Sequence, residues 1–321
     1  VNSASVAVLT APRTATLQHM AAADPGPGEV LVSIGGCGVC GSNSAVWEGR
    51  PWFEYPLAPG APGHEAWGRI ESLGDDVAGL ASGQAVALLS EQAFAEVATV
   101  PASKVVPLPD ALVGKMFPGE ALGCGFNVAR RAAFARGQTV AVIGVGFLGA
   151  VVVHCAVAAG ADVIAISRRE SSLRLARHLG ARVTVPLDDH ERIIAKIGAE
   201  TGGRWCDTVV EAVGLQWPLD LAAQLTRVRG RLVVAGYHQD GPRQVDMQLW
   251  NWRGIDVINA HERDPAIVAA GVAEAAEAVA LGEFDPEPLY THEYRLDQLD
   301  AAMDAMLQRP DGFVKAMVVN R

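Results

Sequence analysis

The apolar run TVAVIGVGFLGAVVVHCAVAAGADVIAI, residues 139 to 166, constrains the fold more than any other stretch of the chain. By hydrophobicity alone it would suit a membrane span. Three glycines in its first part, His154, Gly160 and Asp162 speak against that. A buried strand, a tight turn, a buried helix and a second buried strand account for every interruption. The turn reads Gly144-Val145-Gly146-Phe147-Leu148-Gly149, after a strand expected over Thr139–Ile143 and opening a helix expected over Phe147–Ala159. In that setting Gly144 permits the turn, Gly146 lets the backbone approach a pyrophosphate, and Gly149 lets helix and strand pack closely. The helix N-terminus then presents backbone N–H groups and the positive end of its dipole to the phosphates. The stretch therefore carries a dinucleotide fingerprint in its required context.

The same texture continues. Strands are expected at Asp162–Ser167, Arg182–Val185, Thr208–Glu211, Arg231–Ala235 and Ile255–Asn259, separated by helical patterns such as Ser171–Leu179. Such alternation predicts an α/β fold with a doubly wound parallel sheet. Backbone contacts to the cofactor are expected at Ala212, Val213, Ala235 and Gly236, where later strands end. The first third differs. Short strands at Val6–Leu9, Val30–Ile34, Ala66–Ser72, Ala85–Leu89 and Phe94–Val100 alternate with Pro- and Gly-rich turns, which predicts a small barrel or sandwich. The tail carries helices over Ala266–Leu281 and Leu296–Gln308 and strands near Leu289–Tyr294 and Val314–Val319, and is expected to return to the first domain. This gives residues 1–126 with 261–321 as one domain and 127–260 as the other.

Cofactor choice is legible at the end of the second strand of the parallel sheet. An acidic side chain there would hold a ribose 2′-hydroxyl. The sequence instead reads Ser167-Arg168-Arg169, with no carboxylate before Glu170. Hydrogen-bond donors and positive charge suit a 2′-phosphate, so NADP(H) is expected over NAD(H).

With 19% charged residues and a formal net charge of −10, the chain has no basic stripe, and nucleic acid is not an expected partner. Five cysteines, an odd number in a chain of this size, fit a reducing cytoplasm better than a disulfide scaffold. The first residues show no basic region followed by an apolar core, so no signal peptide is expected.

Cys40, His64 and Cys124 precede the glycine turn. Two thiolates and one imidazole form a known catalytic zinc set with an open fourth position. Each also has a plainer reading: Cys37 and Cys40 as a CxxC redox pair, His64 as a surface histidine, Cys124 as a buried apolar cysteine.

Taken jointly and in order, GVCGS at 38–42, APGHE at 61–65, LGCGF at 122–126 and GVGFLG at 144–149 make the chain resemble the zinc-containing medium-chain dehydrogenase/reductases, the alcohol and polyol dehydrogenase superfamily. The resemblance covers nearly the whole chain. It implies a GroES-like catalytic domain from both ends of the chain around a Rossmann domain, with Cys40, His64 and Cys124 as zinc ligands. Cys37 would be a neighbour only. Glu65 would lie close to the metal, and Ser42 would bond the substrate oxygen and begin a proton relay.

The sequence departs from the family pattern in three places. Asn43 replaces an aspartate that partners the zinc histidine, although its amide oxygen can still accept from the imidazole N–H. Ala45 stands where many members carry a relay histidine. The stretch Ala87–Glu96 lacks the four-cysteine structural lobe, so one zinc per chain is expected. The implied reaction is reversible oxidation of a small-molecule alcohol, with zinc polarising the oxygen and a nicotinamide exchanging the hydride. The alternatives are an NAD-dependent polyol or cyclitol dehydrogenase, and a zinc-free or non-catalytic nucleotide-binding protein. A homodimer or homotetramer through Ile255–Asn259 is expected by the same resemblance. Trp47, Trp52, Phe53, Tyr55, Trp250 and Trp252 serve a pocket, an interface or packing. Glu120, His261 and Glu262 are polar candidates near the predicted site with no role assigned.

Overall fold

The structure is a computed structural model and describes residues 3–320. Its strands, in chain order, are β1 (Ser3–Ala11), β2 (Thr14–Ala21), β3 (Glu29–Val39), β4 (Glu65–Leu73), β5 (Ala85–Leu88), β6 (Val97–Pro101), β7 (Val105–Pro107), β8 (Thr139–Ile143), β9 (Asp162–Ser167), β10 (Val183–Pro186), β11 (Cys206–Glu211), β12 (Thr226–Val234), β13 (Asp256–Asn259), β14 (His292–Arg295) and β15 (Ala316–Val319). The contacts divide the chain into two units. One comprises the residues up to Gly123 together with those from Val268 onward, and the other is Cys124–Ile267.

In the first unit β1 and β2 form an antiparallel pair, and a sheet of order β14-β15-β3-β4-β5-β7 carries the rest, with β6 also on β3. β3 pairs with β4, β6 and β15, which explains why its burial is almost continuous and does not alternate. Val30, Val32, Ile34, Ile70, Leu88, Phe94 and Met303 fill the core beneath it. β2 has no counterpart in the sequence reading. Its residues TATLQHMA are mostly exposed, so it lacks a buried face, and only its register with β1 defines it.

The second unit is a six-stranded parallel sheet of order β10-β9-β8-β11-β12-β13. The chain runs outward from β8 through β9 to β10, then restarts at β11 and runs the other way, so its direction reverses between β8 and β11. β8 and β9 are buried on both faces, as their apolar Val/Ala/Ile runs demand, and β11 is buried from Thr208 to Glu211. The apolar run 139–166 divides into β8, the turn, the helix Phe147–Ala158 and β9. Among the described residues no helix is long and apolar enough to cross a membrane.

A second element is absent from the sequence reading. The helix Gly119–Ala132 contains three glycines, at 119, 123 and 125, each a poor helix former. Packing overrides that propensity. A Cβ on Gly119 would stand 2.6 Å from Ala87 Cβ, one on Gly123 2.7 Å from the Val272 nitrogen, and one on Gly125 2.3 Å from Val151 Cγ1.

Candidate functional site

Register builds the first cluster. β3 lies between β4 and β15, with Gly38 opposite Glu65 on one side and Met317 on the other. Glu65 is buried and faces Lys315, whose Nζ donates to Oε1 at 2.6 Å and lies 2.5 Å from Oε2. Only a glycine fits beside this pair, because a Cβ at position 38 would fall 2.1 Å from Glu65 Oε2 and 3.0 Å from Lys315 Cε. Burial opposes the Lys315 charge, but Glu65, with help from Cys40 and Glu120, holds its pKa above the ordinary value.

β3 ends at Val39, and Cys40 follows as the cap of a short 3-10 turn, Gly41–Asn43, with the Asn43 N–H on the Cys40 carbonyl at 3.1 Å. His64 stands one residue before β4. Ligand atoms of Cys40, His64 and Glu65 therefore meet within 4.8 Å of one another. His64 Nδ1 is 2.8 Å from the Pro62 carbonyl, which can only accept, so this nitrogen carries the proton and Nε2 remains to face a metal. This corrects the expectation for Asn43. The imidazole N–H goes to a main-chain carbonyl, and the amide nitrogen of buried Asn43 has no hydrogen-bond partner. The residue change cost the histidine nothing because the loop before it supplies the acceptor.

Burial resists a charge on His64, but hydrogen bonding to Cys40 and the charges of Cys40, Glu65 and Glu120 prevail and lift its pKa to about 10. Cys37 differs. Burial, then the neighbouring Glu65 charge, pushes its thiol far above the usual range, and its Sγ donates to the Gly38 carbonyl, so it is a packed thiol. A soft thiolate, an imidazole and a carboxylate at this spacing fit Zn²⁺.

Ser42 is half-buried in the 3-10 turn, and Ala45 is buried. Cys124 is partly exposed on the helix Gly119–Ala132, at the residue where the second unit begins. Glu120, to which the sequence assigned no role, is one helical turn earlier on the same face and belongs to the first unit, where its charge acts on both His64 and Lys315. Its signal was the helix itself, which the three glycines concealed.

In the second unit the glycine turn has the predicted construction. Gly144 adopts φ +94°, and a Cβ on it would lie 2.6 Å from Val213 Cγ2. A Cβ on Gly149 would lie 1.9 Å from the Gly144 carbonyl oxygen, whereas one on Gly146, the cap of the helix Phe147–Ala158, would meet nothing within 4 Å. Ala212 and Ala235 begin the segments after β11 and β12, with N–H groups on the carbonyls of Ile143 and Glu211 at 2.8 Å. β9 ends on buried Ser167, followed by exposed Arg168 and by Arg169, which caps the next helix. Glu170, the first carboxylate after β9 in the sequence, pairs with Arg177 at 2.5 Å. His261 stacks on Tyr237 with ring centroids 6.0 Å apart, and Glu262 accepts from the N–H groups of Arg263 and Asp264, so neither belongs to the metal cluster.

Comparison with known proteins gives two family matches. Residues 26–110 match the alcohol dehydrogenase GroES-like domain, and residues 148–277 match the zinc-binding dehydrogenase domain. The chain is 28% identical to sorbitol dehydrogenase of Gallus gallus, over 94% of this chain and 92% of that one. It is 26% identical to L-galactonate-5-dehydrogenase of Escherichia coli K12, over 84% and 85% of the two chains. Among solved structures, 2R,3R-butanediol dehydrogenase of Bacillus subtilis superposes with a TM-score of 0.86 at 23% identity, covering 99% of this chain and 100% of the other.

Proposed function

The chain belongs to the zinc-binding medium-chain alcohol dehydrogenase superfamily, a zinc- and NAD(P)-dependent group acting on CH–OH, and from that premise we propose that it interconverts a secondary alcohol or polyol and its ketone with NADP(H). The observation that carries this reading is the convergence of Cys40, His64 and Glu65 within 4.8 Å. When bound, zinc supplies a Lewis acid for the alcohol or carbonyl oxygen, and the nicotinamide supplies or accepts the hydride.

The residues of the chain do the rest. Cys40 and His64 hold the metal, and the Pro62 carbonyl fixes the ring that presents Nε2. By the resemblance, the Cys124 thiolate completes the set. Glu65 is the carboxylate that lies within 4.8 Å of Cys40 and His64. Ser42, two residues beyond Cys40, takes the proton of the substrate hydroxyl and passes it to water, since Ala45 offers no imidazole. We also infer one zinc per chain, because Cys40, His64 and Glu65 form the single group of three or more ligating side chains among the described residues.

NADP(H) is supported by Ser167 and exposed Arg168 at the end of β9, and by the engagement of Glu170 with Arg177. The test is Arg168→Ala assayed with both cofactors. Losing one charge-assisted phosphate contact should raise KM for NADPH about tenfold to a hundredfold and leave KM for NADH unchanged. A wild-type protein that prefers NADH would sink this assignment and favour the NAD-linked polyol reading, which the sorbitol dehydrogenase relative supports.

The partner we assign to the open edge of β13 is a second copy of the chain. Among the described residues this strand pairs only with β12, and Val257 on it and Trp252 just before it are 37% and 86% exposed. Light scattering should give at least twice the chain mass, falling to one chain for Val257→Lys. A monomeric wild-type protein would refute the assignment.

A further inference from the structure

Four residues close a hydrogen-bonded ring at one end of the parallel sheet. Glu211, the fully buried last residue of β11, accepts through Oε1 from the N–H groups of Val213 and Gly214 at 2.7 and 2.8 Å. Its Oε2 lies 3.0 Å from Nε2 of His238, in the loop after β12. Arg243, farther along that loop, donates Nε–H to His238 Nδ1 at 2.9 Å and Nη2–H to the Gly214 carbonyl at 2.9 Å. A guanidinium only donates, so Nδ1 accepts, and the ring proton sits on Nε2, aimed at the carboxylate.

The place of this ring matters. Chain direction reverses between β8 and β11, and in open α/β sheets ligands lie beyond the C-terminal strand ends at such a reversal. The three segments after β8, β11 and β12 touch there without room for side chains. A Cβ on Gly144 would strike Val213, and a Cβ on Gly236 would lie 2.3 Å from the Gly214 nitrogen. At its start the loop after β12 is also held by the N–H groups of Ala235 and Gly236 on the Glu211 carbonyl, both at 2.8 Å. Tyr237 is exposed and rests on His261.

We infer that Glu211, His238 and Arg243 clamp the segments after β11 and β12 to each other, and that His238 is a positioning residue for nicotinamide-nucleotide binding. The inference rests on the reading of this unit as the NAD(P)-binding one. His238 acts through the main chain of 212–214 and 235–237 and need not touch the nucleotide.

The experiment uses the full-length, zinc-loaded protein and titrates NADPH and NADH by fluorescence against wild type, His238→Leu, His238→Gln and Arg243→Lys. Leucine removes both bonds, while the glutamine amide still donates to Glu211 and accepts from Arg243. His238→Leu should raise Kd and KM for the cofactor about tenfold, and the glutamine variant should stay within about threefold of wild type. KM for the alcohol and zinc content should hold, and amide exchange should quicken at 212–214 and 236–244. Arg243→Lys keeps the charge but loses the planar fork, and should reproduce the leucine result should His238→Leu fold poorly. Cofactor affinity unchanged in both the leucine and lysine variants, or equal losses for leucine and glutamine, would overturn the clamp alone. A wild-type protein that binds neither nucleotide overturns the cofactor reading and the clamp with it.

Discussion

Cys40→Ser and His64→Ala should each lower kcat/KM by at least about a thousandfold, the equivalent of several kcal/mol of lost Lewis-acid stabilisation, while NADPH still binds. Both residues contribute ligand atoms to the tight cluster with Glu65, and neither is in the unit that carries the glycine turn. The measurements are steady-state kinetics, zinc content by elemental analysis and NADPH fluorescence titration. Loss of turnover and nucleotide binding together would mean that the two units do not act as separable binding bodies. Full activity in a zinc-free variant would remove the metal from the mechanism. Cys124→Ser, run in parallel, tests the remaining ligand, since its loss should strip the zinc. Zinc uptake should also follow pH in a stated direction. With its pKa raised to about 10, the His64 imidazole is protonated at neutral pH in the metal-free protein, and zinc must displace that proton. Any stability drawn from the protonated ring is present at low pH and fades toward pH 10. Zinc affinity runs the opposite way, rising about tenfold per pH unit for each proton displaced.

The second large effect concerns stability. Lys315→Met should cost about 3–5 kcal/mol, because it removes the cation hydrogen-bonded to the buried Glu65 carboxylate. The two side chains are 4% and 1% exposed, so water cannot replace the lost partner. Glu65→Gln combined with Lys315→Met should recover most of that loss, since two neutral groups of similar shape need no ion pair. Urea unfolding of the wild type, the single variant and the double variant tests this. A single variant as stable as the wild type would show that the pair contributes nothing to the folded state.

Much of this was legible in the residues, and what was not has identifiable causes. β8 and β9 were readable to the residue because a strand buried on both faces writes itself as a continuous apolar run. The glycine turn was readable because Gly144 and Gly149 each answer a separate steric demand. β2 was invisible because an exposed edge strand bears no hydrophobic pattern. The helix Gly119–Ala132 was hidden by glycines that exist for its neighbours. That omission had a functional consequence, since without the helix nothing put Glu120 on a common face with Cys124. The acceptor for His64 was illegible for another reason. A main-chain carbonyl leaves no trace in residue identity, so the search for a side-chain partner pointed to Asn43 when Pro62 fills the role. The Glu65–Lys315 pair spans 250 residues, and no local pattern announces such a contact.

That separation bears on how the molecule is made. A ribosome delivers β3, Cys40, His64 and Glu65 early, yet β15 and Lys315 come only after the entire parallel-sheet unit has emerged. The intervening unit holds all six of its strands in one uninterrupted stretch and can complete its sheet while synthesis continues. The earlier segment meanwhile waits with residues 36–39 of β3 lacking one neighbour and a carboxylate lacking its lysine. Its sheet is sealed by the pairing of Ala316 with Val39, a contact that cannot form before the parallel-sheet unit has emerged. Pulse-labelled nascent chains should therefore gain protease resistance in the parallel-sheet unit before they gain it around Cys40, His64 and Glu65.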